Sequence, residues 1–356
     1  MADHPYRRAP AEAFWKGAVS GLDVFDVDPV TPPAFTIAPA DRVASAGSCF
    51  AQHIARYLKT SGFDFLVTET AHPIAAPEDA EAFNYGVYTA RYGNIYTPRQ
   101  LLQLFQRAYG RFAPLDDAWE AGGGRWIDPF RPQIQPGGFA SRAEYDADRA
   151  QHFTAVRRAF ETLDVFVFTL GLTEAWRSRE DGAVYPLCPG VAGGHFDPAR
   201  HAFHNFTAGE IVADMVAFLD LLRSVNPRSR VILTVSPVPL VATASGRHVL
   251  TATTYSKAVL RVACEQLVGE QPDVAYFPSY ELVTGPQTRG RFLAEDLRSV
   301  TEEGVANVMR LFLKHHCGID VPRFGIEHAV PAGDAHLTAM AELVRLNCDE
   351  EALARD

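Results

Sequence analysis

Residues 42–50 read RVASAGSCF, and residues 51–63 continue as AQHIARYLKTSGF. A short apolar run over 43–46 ends in Gly47-Ser48-Cys49, and a helical pattern starts at once. Phe50, Ile54 and Leu58 recur at helix spacing, while Gln52, Arg56 and Lys59 take the other face. Strand, glycine turn and helix form the layout that presents a nucleophile. Gly47 permits the tight turn, and a helix N-terminus aims free N–H groups and partial positive charge at whatever sits there. That field favours a thiolate, so Cys49 is placed to attack a carbonyl, with Ser48 bonding within the turn. The same residues also suit a small inert cysteine buried at a strand end. Local sequence leaves both readings open.

Working outward, strand-like runs alternate with helical ones. A second strand is predicted at 63–68 (FDFLVT), a buried one at 164–170 (DVFVFTL), another at 230–235 (RVILTV) and a fifth at 274–277. Helices are predicted from Thr97-Pro98, where threonine caps and proline occupies the first turn, and at 151–163, 208–225, 253–268 and 301–315. The alternation predicts a three-layer α/β/α sandwich on a five-stranded, mainly parallel, flavodoxin-like sheet of order 2-1-3-4-5. Residues 110–148 and 178–206 read as long loop insertions over the strand C-termini, the second carrying His195, His201 and His204. Residues 1–40, rich in proline, read as an extended arm, 41–320 as the domain, and 321–356 as an appendage with a helix at 338–353.

The 356-residue chain is long enough for one large core, and its 47% hydrophobic content is ordinary for a globular enzyme. Its net charge of -10 comes without a basic stripe, which argues against nucleic acid as a partner. The five cysteines are scattered with no CxxC pair, so neither a disulfide framework nor a zinc site is indicated. The three loop histidines lack a metal-ligand register. No membrane span or apolar leader is evident, and the expectation is a cytoplasmic protein without metal or cofactor.

In an open parallel sheet the site lies beyond the strand C-termini. Three segments meet that condition: Gly47-Ser48-Cys49, Gly171-Leu172-Thr173-Glu174 and Ser236-Pro237-Val238-Pro239. Gly171 lets backbone approach a ligand, and the Thr173 hydroxyl is a candidate donor to an oxyanion. Taken alone, GLTE is equally a glycine turn followed by two solvated side chains.

Gly47-Ser48-Cys49-Phe50-Ala51 spells GSCFA, and with FTLGLTEAW, RYGNIYT, DPFRP and TVSPVPL the chain, over roughly residues 40–315, resembles the GSCFA family. That family looks like a branch of the SGNH (GDSL-type) hydrolases. The resemblance implies an esterase or O-acyltransferase acting on a small-molecule or glycan acyl ester. Cys49 stands at the nucleophile position and Ser48 at the aspartate of the G-D-S turn. Gly93 and Asn94 match the second oxyanion block, and Thr173 replaces the usual asparagine of the third. The final D-x-x-H block reads Asp296-Leu297-Arg298-Ser299. Serine cannot act as a base near neutral pH. Three accounts remain for Ser299: a naturally altered or non-catalytic member, an introduced substitution, or a base supplied by His195, His201 or His204. An inactivated hydrolase fold serving as a binding protein is the alternative function. A flavodoxin-like nucleotide binder has the topology but lacks a GxGxxG or P-loop after the first strand. Acyl donor, acceptor and oligomeric state are not encoded in any motif.

Overall fold

The computed structural model describes residues 4–48, 50–322 and 352–353. In chain order the elements are β1 (Val43–Gly47), α1 (Phe50–Thr60), α2 (Pro77–Ala82), α3 (Pro98–Ala108), β2 (Trp119–Ala121), β3 (Arg125–Ile127), α4 (Arg142–Thr162) and β4 (Val165–Leu170). They continue with β5 (Glu174–Ser178), β6 (Val184–Tyr185), β7 (His201–Asn205), α5 (Ala208–Val225), β8 (Arg230–Val235), α6 (Val249–Glu270), β9 (Val274–Phe277), α7 (Ser279–Thr284) and α8 (Glu302–Cys317).

A four-stranded parallel sheet, ordered β1-β4-β8-β9, carries the molecule. Every residue of β1 and β4 is buried, which explains their unbroken apolar runs. Alternate residues serve opposite faces. Val43, Val165, Val167 and Ile232 pack with Phe50, Ile54 and Leu58 of α1 and with Val308 and Phe312 of α8. Ala44, Phe166, Phe168 and Leu233 pack with Leu101 and Phe105 of α3, Phe160 of α4, Phe218 of α5 and Leu260 of α6. Helices therefore cover both faces.

The fifth strand expected at 63–68 is reduced to a single parallel bridge between Phe65 and Val43, leaving β1 as the edge strand. The cause is local. Phe65 N–H turns back to the Phe63 carbonyl, and Thr68 leaves the sheet by donating its N–H and hydroxyl to the Thr89 carbonyl.

The two insertions are more ordered than their glycine and proline content suggests. Residues 110–148 hold the β2–β3 hairpin and the first turns of α4, capped by the Ser141 hydroxyl. Strand β5 pairs antiparallel with both β6 and β7, so His201 and His204 lie on a strand. The N-terminal arm packs Val30 and Ile37 beside α8, and Ile37 N–H donates to the His316 carbonyl. The helix expected at 338–353 lies, but for Ala352 and Leu353, outside the described residues. No helix among the described residues is long and apolar enough to cross a membrane.

His316, fully buried near the end of α8, stacks on Phe312 and meets Phe277 edge-on, and neither ring nitrogen has a partner among the described residues. Burial, and secondarily His315, lowers its pKa from 6.5 to about 4. The unfolded chain then binds a proton that the folded chain refuses, so stability is lost as pH falls from 6.5 toward 4. A shift of that size is worth at most about 3 kcal/mol. His316→Phe should raise the urea midpoint more at pH 5 than at pH 7.5; an equal shift at both pH values contradicts this origin.

Candidate functional site

The site begins where β1 ends. Gly47 has φ +141, and a β-carbon there would lie 2.4 Å from the Thr169 carbonyl oxygen on β4. Only glycine fits that approach. Ser48 is buried, its N–H donates to the Thr169 carbonyl, and its carbonyl accepts from Ala51 N–H at the start of α1. Ser48 thus bonds within the turn through its backbone groups, and its Oγ has no partner among the described residues. Cys49 lies outside the described residues.

Two further segments join this turn through main-chain hydrogen bonds. Ile95 N–H donates to the Gly47 carbonyl at 2.9 Å. One residue on, the Tyr96 carbonyl accepts from Gly171 N–H at 2.9 Å and Leu172 N–H at 3.3 Å. A β-carbon on Gly171 would fall 3.0 Å from the Tyr96 ring and 3.3 Å from Ser48 Cβ, so that glycine too is set by a close approach. Gly93, at φ +67, supplies the left-handed turn that leads buried Asn94 into this junction.

The remaining segments attach in series. Ser236 N–H donates to the Leu170 carbonyl and its hydroxyl accepts from Val238 N–H, so Ser236 braces the loop after β8. Leu240 from that loop packs on Tyr96 and Leu172. The Pro239 carbonyl accepts from Arg298 Nε, which brings in the Asp296–Ser299 turn. There the Ser299 hydroxyl donates to Asp296 Oδ2 at 2.5 Å, while the N–H groups of Arg298 and Ser299 donate to Oδ1. Partial burial raises the Asp296 pKa, but these donors outweigh it and hold the carboxyl below its usual value.

Two expected roles change. Thr173 donates its hydroxyl to Asn205 Oδ1 at 2.6 Å and its N–H to Ser256 Oγ at 3.0 Å. Pairing of Glu174 with Asn205 in β5–β7 puts the amide beside it, so Thr173 acts as a brace instead of a free oxyanion donor. Glu174 accepts from the Thr243 hydroxyl, and half-burial raises its pKa. His195 is exposed, His201 accepts from Asp197 N–H, and His204 pairs with Glu210 at 2.9 Å.

Two residues escaped the sequence reading. Lys257 on α6 is fully buried and donates from Nζ to the Gly171 carbonyl at 2.6 Å. Its signal was present, because position 257 falls three before Leu260 and seven before Cys264, on the helix's buried stripe. His53 stands four residues beyond Cys49 on α1, and burial followed by the Arg56 charge lowers its pKa to about 4, so it is neutral at physiological pH.

The sequence profile of a known family matches residues 42–312, from the residue before β1 into α8, a span that contains all five segments. The chain belongs to the GSCFA family. No curated protein matches it significantly. The matched span takes in the whole four-stranded sheet of this GSCFA protein and every segment of the junction.

Gly47→Ala should cost at least about 3 kcal/mol in chemical denaturation, because steric overlap adds to backbone strain. Gly62→Ala is the control: φ is +80 with open space around it, and only the left-handed strain of about 1 kcal/mol is expected. Equal costs at both positions would remove the close-approach explanation.

Proposed function

We propose that this GSCFA protein is an acyl-handling enzyme of the SGNH hydrolase type, an esterase or O-acyltransferase acting on a carbohydrate or lipid. The observation that carries the reading is the junction in which Gly47, Ile95, Tyr96 and Gly171 share main-chain hydrogen bonds at the C-terminal ends of β1 and β4. Segments remote in sequence meet there, and each matches a block that the SGNH resemblance assigns to catalysis.

In this reading the Cys49 thiolate attacks the acyl carbonyl carbon. The resulting oxyanion is stabilised by donors on the turn and on Gly93-Asn94. Collapse of the intermediate expels the alcohol, which takes up a proton, and leaves a thioester on Cys49. Water or an acceptor hydroxyl then attacks the thioester. The Asp296–Ser299 turn keeps the orienting carboxylate but offers a hydroxyl where a base would stand. In this reading Lys257, held on the Gly171 carbonyl, places a cationic group at the junction, and positive charge there would favour the thiolate form of the nucleophile. A thiol needs less help from a base than a serine does, so acylation suffers less than deacylation.

A second reading, a binding protein on an altered hydrolase fold, is favoured by one observation: Asp296 and Ser299 satisfy each other in a closed pair. Turnover of aryl acyl esters by the chain and by Ser299→His decides between them. The enzyme reading expects the histidine variant to be faster by roughly 100-fold or more, the usual scale of general-base catalysis. Esters untouched by both proteins favour the binding protein.

The role of Lys257 has its own readout. The rate of Cys49 alkylation by iodoacetamide against pH should shift to higher pH in Lys257→Met and stay near the parent in Lys257→Arg. An unchanged profile in the methionine variant contradicts electrostatic activation by Lys257.

A further inference from the structure

The buried arginines around Asn94 differ in one respect. Arg91 donates to Asp148, Tyr85 and the carbonyls of Phe83 and Ile134; Arg131 donates to Asp128, Asp148 and the Arg91 carbonyl. Arg107, in the last turn of α3, is only 7% exposed, yet its guanidinium has no hydrogen bond or ion pair among the described residues. Its faces are occupied, with Cζ 3.6 Å from the Phe130 ring centroid and 5.2 Å from that of Phe153. Stacking uses the plane of the guanidinium and leaves the in-plane N–H fork unspent. Asp128 does not fill it, because its oxygens already accept from Arg131 Nε and Phe130 N–H. Burial, the largest influence, pushes the Arg107 pKa down to about 10.

Arg107 lines a small recess with Asn94, Gln100, Phe130 and Arg131, and no carboxylate contributes to its wall. Gln100 spends its Oε1 on Tyr96 N–H and Thr97 N–H, and its Nε2 has no partner among the described residues. The recess thus offers N–H donors and one unpaired cation beside a residue of the candidate site. We propose that it binds the carboxylate of an acidic substrate through the Arg107 guanidinium. A planar, singly charged anion matches a single fork in two parallel hydrogen bonds, with the Gln100 amide as a third donor. Calling the ligand a substrate rests on the acyl-enzyme reading; the binding itself does not, since a catalytically silent protein would still take up the carboxylate.

The test is titration of the full chain with sodium acetate and sodium glucuronate at constant ionic strength, with sodium chloride and glucose as controls, read by calorimetry and by thermal shift. Acetate and glucuronate should bind with dissociation constants on the order of 1 mM or weaker, as expected for so small an anchoring group. Glucose and chloride should not bind. Arg107→Met should weaken both carboxylates at least tenfold, and Arg107→Lys, which keeps the charge but loses the fork, several-fold. No carboxylate binding by the parent chain overturns the proposal. So does binding unchanged in Arg107→Lys, which covers the case of a methionine variant that fails to fold.

Discussion

The architecture depends on one close approach: the α-carbon of Gly47 against the Thr169 carbonyl at the end of the β1–β4 pair. Because no side chain intervenes, β1 runs in register with β4 up to its last residue, and the Gly47 carbonyl is left to accept from Ile95 N–H. Tyr96 then hands the main-chain pairing to Gly171 and Leu172. The sheet's C-terminal edge is thereby extended by loops that hold one another as strands do. Backbone amides in such a junction are fixed before any ligand arrives, which is the condition for stabilising developing charge without reorganisation.

The loop that enters this junction is held from behind by a buried ionic cluster. Arg91 N–H donates to Glu69, which His152 also contacts at 2.7 Å, and Arg131 links Asp128 and Asp148 to the Arg91 carbonyl. Burial raises the Glu69 pKa, but His152, Arg131 and the Arg91 N–H bring it down to about 2, so it stays ionised. Buried pairs add little net stability, yet loss of one partner costs about 3–5 kcal/mol. The DPFRP stretch is thus explained by position: Asp128 and Arg131 fix residue 91, three positions from Asn94.

Much of this was legible in the sequence wherever pattern and burial coincide. The runs at 230–235 and 274–277 and the helix at 208–225 fall where periodicity puts them, because strands buried on both faces and a capped amphipathic helix carry strong local signals. Glycines misled in one place. Gly122-Gly123-Gly124 reads as loop punctuation but is the turn of a hairpin, with Gly123 and Gly124 at positive φ between Trp119 and Ile127. For the site, the segments were legible but their internal bonds were not. Thr173 looked like a free donor because nothing near it in sequence reveals Asn205, which arrives through β7. Lys257 and Arg107 matter through burial, a property that a polar residue on an apolar stripe only hints at.

The central claim is that the turn after β1 carries the nucleophile, and trapping an acyl-enzyme tests it most directly. The protein would be mixed with an aryl acyl ester, quenched in acid within the first turnover, digested, and mapped by mass spectrometry. The account predicts the acyl mass on the peptide containing Cys49, and its loss in Cys49→Ala with the fold retained. Acylation at Ser48 or at another cysteine, or none on any residue while ester is consumed, would contradict it.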